Sequence, residues 1–490
     1  MRTALGVIAL GIGLWAGAPT AGPRITPGEQ AALDHISASS LRGALSFLAS
    51  DALEGRDTPS RGLDIAAEYI ASKFRAAGLD PFFQTAQVIR ATAVPQQLAI
   101  TDGGRTVTAG PGEMRARAER TVELADAQLY KVDLAAPLPH DAGVFDGKVV
   151  LFEFGPGQWS AVERLWPVLM SSGAAAVVVV GERGRALIES DMFVPGAERP
   201  VPVVSVVDDS VKEFCRAMKT GSAARISLRI LTSSRTVATA KNVIAILRGA
   251  DPELRGTCVV LSAHYDHLGV KRTTRGELVF NGANDDGSGT VSVLEVAAAL
   301  ASMPQPPRRS IVFVTFFGEE EGLYGSAYFA RHLPCPLAQT IADINLEQLG
   351  RPNTDHGEMR NSLTFVGQGY TTLAAGFASA AEATGVTIAA HPALGDEFFS
   401  RSDNFSLAER GIPAQTIAIP ANFAEYHAVG DTWEKIDYAN LARLDGMIAL
   451  GLIRLADDSQ PPQWNAGNPA VGEYREEWRR MHGSAPAGRP

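Results

Sequence analysis

Five short segments of this chain carry side chains that could hold cations and move protons. His264 and Asp266 lie two apart at the end of an apolar, strand-like run, so both side chains leave the same face. A metal-bound imidazole usually passes its other N–H to a carboxylate, which fixes the ring and its tautomer. His264 as ligand with Asp266 behind it meets that need, although a surface pair would look the same in isolation. Asp285 and Asp286 precede a helix start, Gly287-Ser288-Gly289-Thr290. Capping needs only one acid, and adjacent acids repel unless a cation compensates. A carboxylate shared between two metals supplies that compensation, and Asp285 is preferred to Asp286 for it. Glu319, Glu320 and Glu321 follow the apolar run Ile311 to Phe317, where three acids are costly without partners. One of them can bind a metal while its neighbour takes a proton from the attacking water. Glu347 ends another such run, and His427 lies just past Ala414 to Ile419. His267, His332, His356 and His391 lack a comparable acidic strand-end context and read as structural or surface residues.

The elements that must position these groups alternate from Asn242 onward. Strand-like runs (Val243 to Leu247, Cys258 to Ser262, Ile311 to Phe317, Ile341 to Leu346, Ala414 to Ile419) alternate with helical ones (Gly289 to Ser302, Thr372 to Thr384, Tyr438 to Ala456). That pattern predicts an α/β fold with a mixed, largely parallel sheet flanked by helices. An open sheet of this kind gathers strand ends into one crevice. Upstream, Ala66 to Phe74 has helical spacing and Gly78 stands where a helix would stop. Residues 94–234 differ: Lys148 to Phe152 and Ala176 to Val180 are short apolar runs between Gly and Pro, as in a β-rich module.

The chain's 490 residues allow two or three domains, and 46% hydrophobic content is ordinary for a soluble globular protein. A formal charge of −10 and the absence of a basic run before the tail argue against a nucleic-acid surface. Arg2 followed by the apolar run Ala4 to Trp15 and then small residues reads as a signal peptide over 1–21. The run is short of the roughly 20 residues a membrane span needs. The expected destination is therefore the periplasm or the exterior. Of Cys215, Cys258 and Cys335, at least one is unpaired within the chain. Cys258, inside a strand-like run, reads as a small buried hydrophobe. No CxxC spacing occurs, which excludes cysteine zinc sites and dithiol redox chemistry. Gly287-Ser288-Gly289 lacks the flanking glycines of a serine-hydrolase elbow, and no phosphate-binding loop is present.

Taken in order, the five segments resemble those of the co-catalytic zinc aminopeptidases, the family of secreted bacterial leucyl aminopeptidases and glutamate carboxypeptidase II, to which glutaminyl cyclases are related. The resemblance runs from about Asn242 to Ala456, and Leu48 to Arg56 is similar to the family's N-terminal segment. Phe145 to Val150 and Ser172 to Val177 resemble marks of the protease-associated insert many of these enzymes carry. The resemblance implies a peptidase domain split over 22–93 and 235–457, an insert over 94–234 and a loose tail over 458–490. It also implies roles. His264 would bind the first metal with Asp266 orienting it, and Asp285 would bridge. Glu319 would be the general base and Glu320 a ligand of the second metal. Glu347 would complete the first, where the family usually has aspartate, and His427 the second. Ser402 and Asp403 resemble a supporting segment. The implied cofactors are two zinc ions, with cobalt or manganese as other ions such ligands accept. The implied activity is removal of N-terminal residues from peptides. A single-zinc glutaminyl cyclase, should Glu347 fail to reach its metal, and a non-catalytic binding protein on the same scaffold are the alternatives.

Overall fold

A computed structural model describes residues 24–483 except 119, 156–157, 182–200, 274–275, 355–356, 391–395 and 420–422. The signal-peptide reading of 1–21, His356, His391 and the last seven residues of the expected tail lie outside the described residues.

The strands expected in the second half form, within a residue or two, as Cys258–His264, Ser310–Phe316, Thr340–Glu347 and Ala414–Ala418. They run parallel in the order Ser310–Phe316, Cys258–His264, Thr340–Glu347, Ala414–Ala418. Register decides the function of this arrangement. Phe316 pairs with His264, and Glu347 pairs with Ala418, so the C-terminal ends of neighbouring strands finish level with one another. Every residue of the first two strands is buried, as expected of a parallel sheet covered on both faces. Helices Gly289–Ala301 and Tyr438–Asp457 cover one face, packed with Ala38–Leu48 and Arg61–Ala76 into one apolar core. The opposite face carries a second core containing Phe316, Phe329, Phe405 and Trp464.

Two long strands, Phe82–Asp102 and Arg225–Leu247, pair antiparallel from Phe82 with Ile244 to Thr101 with Arg225. Leu247 pairs with Ile311 at the other end, so this ribbon leads out of the parallel sheet. Between these strands the chain builds Val149–Glu153, Ala176–Val180 and Val203–Val206, a parallel set. Alternate side chains of Val149–Glu153 enter different cores, Val149 and Leu151 one, Val150 and Phe152 the other.

Two sequence expectations are corrected here. Cys258 is not a lone buried hydrophobe but is disulfide-bonded to Cys335, which leaves Cys215 as the buried free thiol. The stretch after Asp457 is not loose throughout. The Trp464 indole donates to the Gly411 carbonyl, and helix Gly472–His482 brings Tyr474 against Phe399 and Trp464. Its aromatic spacing, apolar on one side only, is what secures it to the core.

Candidate metal centre

The level strand ends deliver most of the site. His264 is the last residue of its strand and fully buried. Its Nδ1 faces Asp266 Oδ1 at 3.4 Å, and its Nε2 faces Asp285 Oδ1 at 3.4 Å and Glu347 Oε1 at 3.7 Å. The next strand end supplies Glu319, whose Oε2 is 3.9 Å from the same Nε2. Asp266 accepts the backbone N–H of Glu319, so one carboxylate orients both the imidazole and the neighbouring acid.

Asp285 stands between two histidines, one on each oxygen. Oδ1 faces His264, while Oδ2 is 3.1 Å from His427 Nε2. Glu320 Oε2 lies 3.2 Å from that nitrogen on the other side. His427 is 36% exposed where His264 is buried, so the cluster opens to solvent on the His427 side. There the Tyr426 ring stacks on His427, centroids 3.9 Å apart.

The loop that carries Asp285 is held from several directions. Asp431 accepts the backbone N–H groups of Asn284 and Asp285. Asp286 faces away from this role: it accepts the N–H of Gly289 at 3.0 Å and of Gln348 at 3.1 Å. The two adjacent acids therefore divide, Asp285 into the cluster and Asp286 into capping the helix and pinning the turn after Glu347. Ser402 fixes Glu347 by donating to its Oε2 at 2.5 Å, and Asn345 Nδ2 donates to Ser402 Oγ in turn. The longer arm of glutamate is thereby folded back into the cluster.

Beneath the site lies Arg56, almost wholly buried. Its guanidinium donates to the carbonyls of Tyr265, Leu48, Asn281 and Gly282. Burial lowers its pKa to about 10, and Asp266, Asp431, Asp286 and Asp285 resist the fall. Sequence reasoning gave Arg56 a place in an N-terminal resemblance but no task; a lone arginine 200 residues from the cluster gives no spacing signal.

Several polar atoms here are buried with no hydrogen-bond partner: both ring nitrogens of His264 and of His267, Asp285 Oδ2 and Glu320 Oε1. Burial opposes protonation of His264, yet Glu319, Asp266, Asp285 and Glu347 raise its proton affinity well above the usual histidine range. Burial likewise opposes protonation of His427, but Asp285 and Glu320 carry its pKa to about 10. Burial, reinforced by Glu347, Glu320 and Asp403, raises Glu319 despite the nearby His264. A pocket that binds protons this avidly is one short of cations. Orphaned nitrogens and carboxylate oxygens converging in pairs are the donor set of divalent metals. The ligand atoms of His264, Asp285 and Glu347 lie within 4.8 Å of one another, as do those of His267, Asp285 and Glu320. Asp285 belongs to both groups, and the residues present fit zinc.

The structure thus brings together all of His264, Asp266, Asp285, Glu319, Glu320, Glu347 and His427. It also adds His267, against the expectation of a structural or surface role. His267 is buried and its Nδ1 is 2.7 Å from Glu320 Oε1. Its position next to Asp266, at the same strand end as His264, was the available signal.

Residues 242–451 match the profile of peptidase family M28. Over 184 residues the chain is 29% identical to aminopeptidase YwaD of Bacillus subtilis (strain 168), covering 37% of this chain and 35% of that protein. Over 120 residues it is 34% identical to a probable zinc metalloprotease of Pyrenophora tritici-repentis, covering 24% of each. The chain thus spans about a third or less of the length of these curated relatives. Among solved structures, an aminopeptidase from Aneurinibacillus sp. strain AM-1 shares the fold. The TM-score is 0.53 at 20% identity, over 90% of this chain and 98% of that one.

Proposed function

We propose, from the match of residues 242–451 to the profile of peptidase family M28, that the chain is a zinc-dependent exopeptidase that removes N-terminal residues from peptides. The observation that carries this reading is Asp285, with one oxygen toward His264 and the other toward His427, beside the buried acid Glu319. Two ions are the natural count, the first held by His264, Asp285 and Glu347, the second by Asp285, Glu320 and His427. Such ions would polarise the scissile carbonyl and acidify water.

The chain's own groups do the rest. Glu319 has a raised proton affinity and stands within the cluster, which suits it to accept a proton from the attacking water and deliver it to the leaving amine. Asp266 holds the backbone of Glu319 and faces His264, keeping base and ligand in one frame. The exposed rim at Tyr426 and His427 is where a peptide would enter. The names of the relatives support aminopeptidase over other exopeptidase activities. The single-zinc cyclase alternative rested on Glu347 missing the cluster, and Glu347 stands within it.

We read residues 94–234 as a protease-associated insert, supported by cores separate from those of the peptidase sheet. We read the chain as exported, which the Cys258–Cys335 disulfide supports because such bonds persist in oxidising compartments. No helix among the described residues is long and apolar enough to cross a membrane.

The test is hydrolysis of aminoacyl anilides and of a peptide library, with and without chelator. Cleavage from free N-termini, lost with chelator and restored by zinc, is expected. Chelator-insensitive cleavage, or release only from C-termini, would overturn the reading.

A further inference from the structure

One imidazole in the cluster has no task in the mechanism above. His267 is 1% exposed, and neither ring nitrogen makes a hydrogen bond. Its Nδ1 lies 2.7 Å from Glu320 Oε1, an atom that is also buried and without a hydrogen-bond partner. The ligand atoms of His267, Asp285 and Glu320 all lie within 4.8 Å of one another, the spacing of donors gathered around one ion.

We propose that His267 is a further ligand of the second metal. That position then has four protein residues, Asp285, Glu320, His267 and His427, and the first has three, His264, Asp285 and Glu347. The proposal rests on the two-metal reading and deepens it.

Three further observations support it. First, donors bound to one zinc at roughly 2.0–2.2 Å in a tetrahedron stand about 3.3 Å apart. The separations in this group are 2.7 Å for His267 to Glu320, 3.2 Å for His427 to Glu320 and 3.1 Å for His427 to Asp285. Second, the two imidazoles flank opposite oxygens of Glu320, with ring centroids 5.7 Å apart and planes at 74°. Third, the His267 ring is fixed by contacts that leave its nitrogens free. Its backbone N–H donates to the Arg56 carbonyl, and its ring lies on Gly282, where a Cβ would come within 2.4 Å of the ring. Gly282 is itself held through its carbonyl by the Arg56 guanidinium and has φ +55°. No side chain other than glycine's hydrogen leaves room for that ring.

The consequence is an asymmetric pair. Four protein ligands close a zinc site, whereas three leave a position for water or substrate. The first metal would be the one open to exchange, and the second would be the anchor. Two imidazoles with two carboxylates suit zinc or cobalt and disfavour magnesium or calcium.

The full-length protein, its His267→Ala form and its His267→Gln form would be titrated with zinc against a competing chelator, with metal content read by mass spectrometry. The wild type is expected to hold two ions. Both variants should hold the first as before and bind the second more than about 100-fold more weakly. That exceeds the roughly 10–100-fold cost of losing a group that only orients a ligand. X-ray absorption of the di-zinc wild type needs no variant: it should show three imidazoles shared between two ions. Two imidazoles shared between two ions, or second-site affinity reduced less than about 100-fold in folded variants, would overturn the proposal. A wild type that binds fewer than two ions would overturn the two-metal reading as well, which separates the two failures.

Discussion

Replacing Arg56 with methionine keeps the length of the stem and removes every donor beneath the metal centre. Four charge-assisted bonds to carbonyls are lost, to Leu48 at 2.5 Å, Tyr265 and Asn281 at 2.7 Å and Gly282 at 2.9 Å. At about 1.5–3 kcal/mol each these sum to roughly 6–12 kcal/mol. Against them stands the burial of the charge itself. Burial lowers the Arg56 pKa to about 10, which corresponds to about 3 kcal/mol of unfavourable environment that methionine relieves. The difference is roughly 3–9 kcal/mol, and its lower part, about 3–5 kcal/mol, matches what removal of one partner from a buried charged pair usually costs. Arg56→Lys should fall between, because one ammonium cannot replace a planar fork that reaches four carbonyls. Urea unfolding of the metal-stripped protein, followed by tryptophan fluorescence, measures the loss directly. Because Gly282 precedes the loop that carries Asp285, zinc affinity should drop along with stability. A destabilisation below about 1 kcal/mol, with zinc affinity unchanged, would refute the view that this buried cation organises the site.

Further outcomes follow from the same contacts. Ser402→Ala removes the donor that holds Glu347 Oε2 and should weaken zinc at the first position about 10-fold by competition titration, leaving the second position unaffected. Asp343 sits in the sheet core with its pKa pushed up by burial to about 8, partly countered by the hydroxyl of Ser262. Its folded value lies above the unfolded one, so its contribution is complete below about pH 4 and is lost as pH rises through about 8. Asp343→Asn should therefore gain about 4 kcal/mol more at pH 8 than at pH 5, and a gain independent of pH would refute the assignment.

The strands of the parallel sheet were legible because each is a short apolar run ending in chemistry, and parallel register then brought His264, Glu319 and Glu347 to one level. Residue type pointed to the candidate ligands because carboxylates and imidazoles are rare at the ends of buried strands. Asp285 was preferred to Asp286 from the sequence, and what the sequence could not show was the means: the turn geometry sends one into the cluster and the other to the Gly289 and Gln348 amides. His267 was set aside as lacking an acidic strand-end context, yet its Nδ1 lies 2.7 Å from Glu320 Oε1. The partner of Cys258 was hidden because pairing depends on which loop passes the strand, and spacing along the chain says nothing of that. Arg56 was hidden for the same reason: its partners are backbone carbonyls, which every residue has.

The central claim is that a metal cluster built around Asp285 acts with Glu319 as its base. The most direct test is Glu319→Gln, which keeps the size of the side chain and cannot accept a proton. With metal content and hydrolysis of an aminoacyl anilide measured on the same sample, the variant should retain two zinc ions and lose roughly 10²–10⁴-fold in kcat. A variant that keeps both ions and hydrolyses at the wild-type rate would contradict the account.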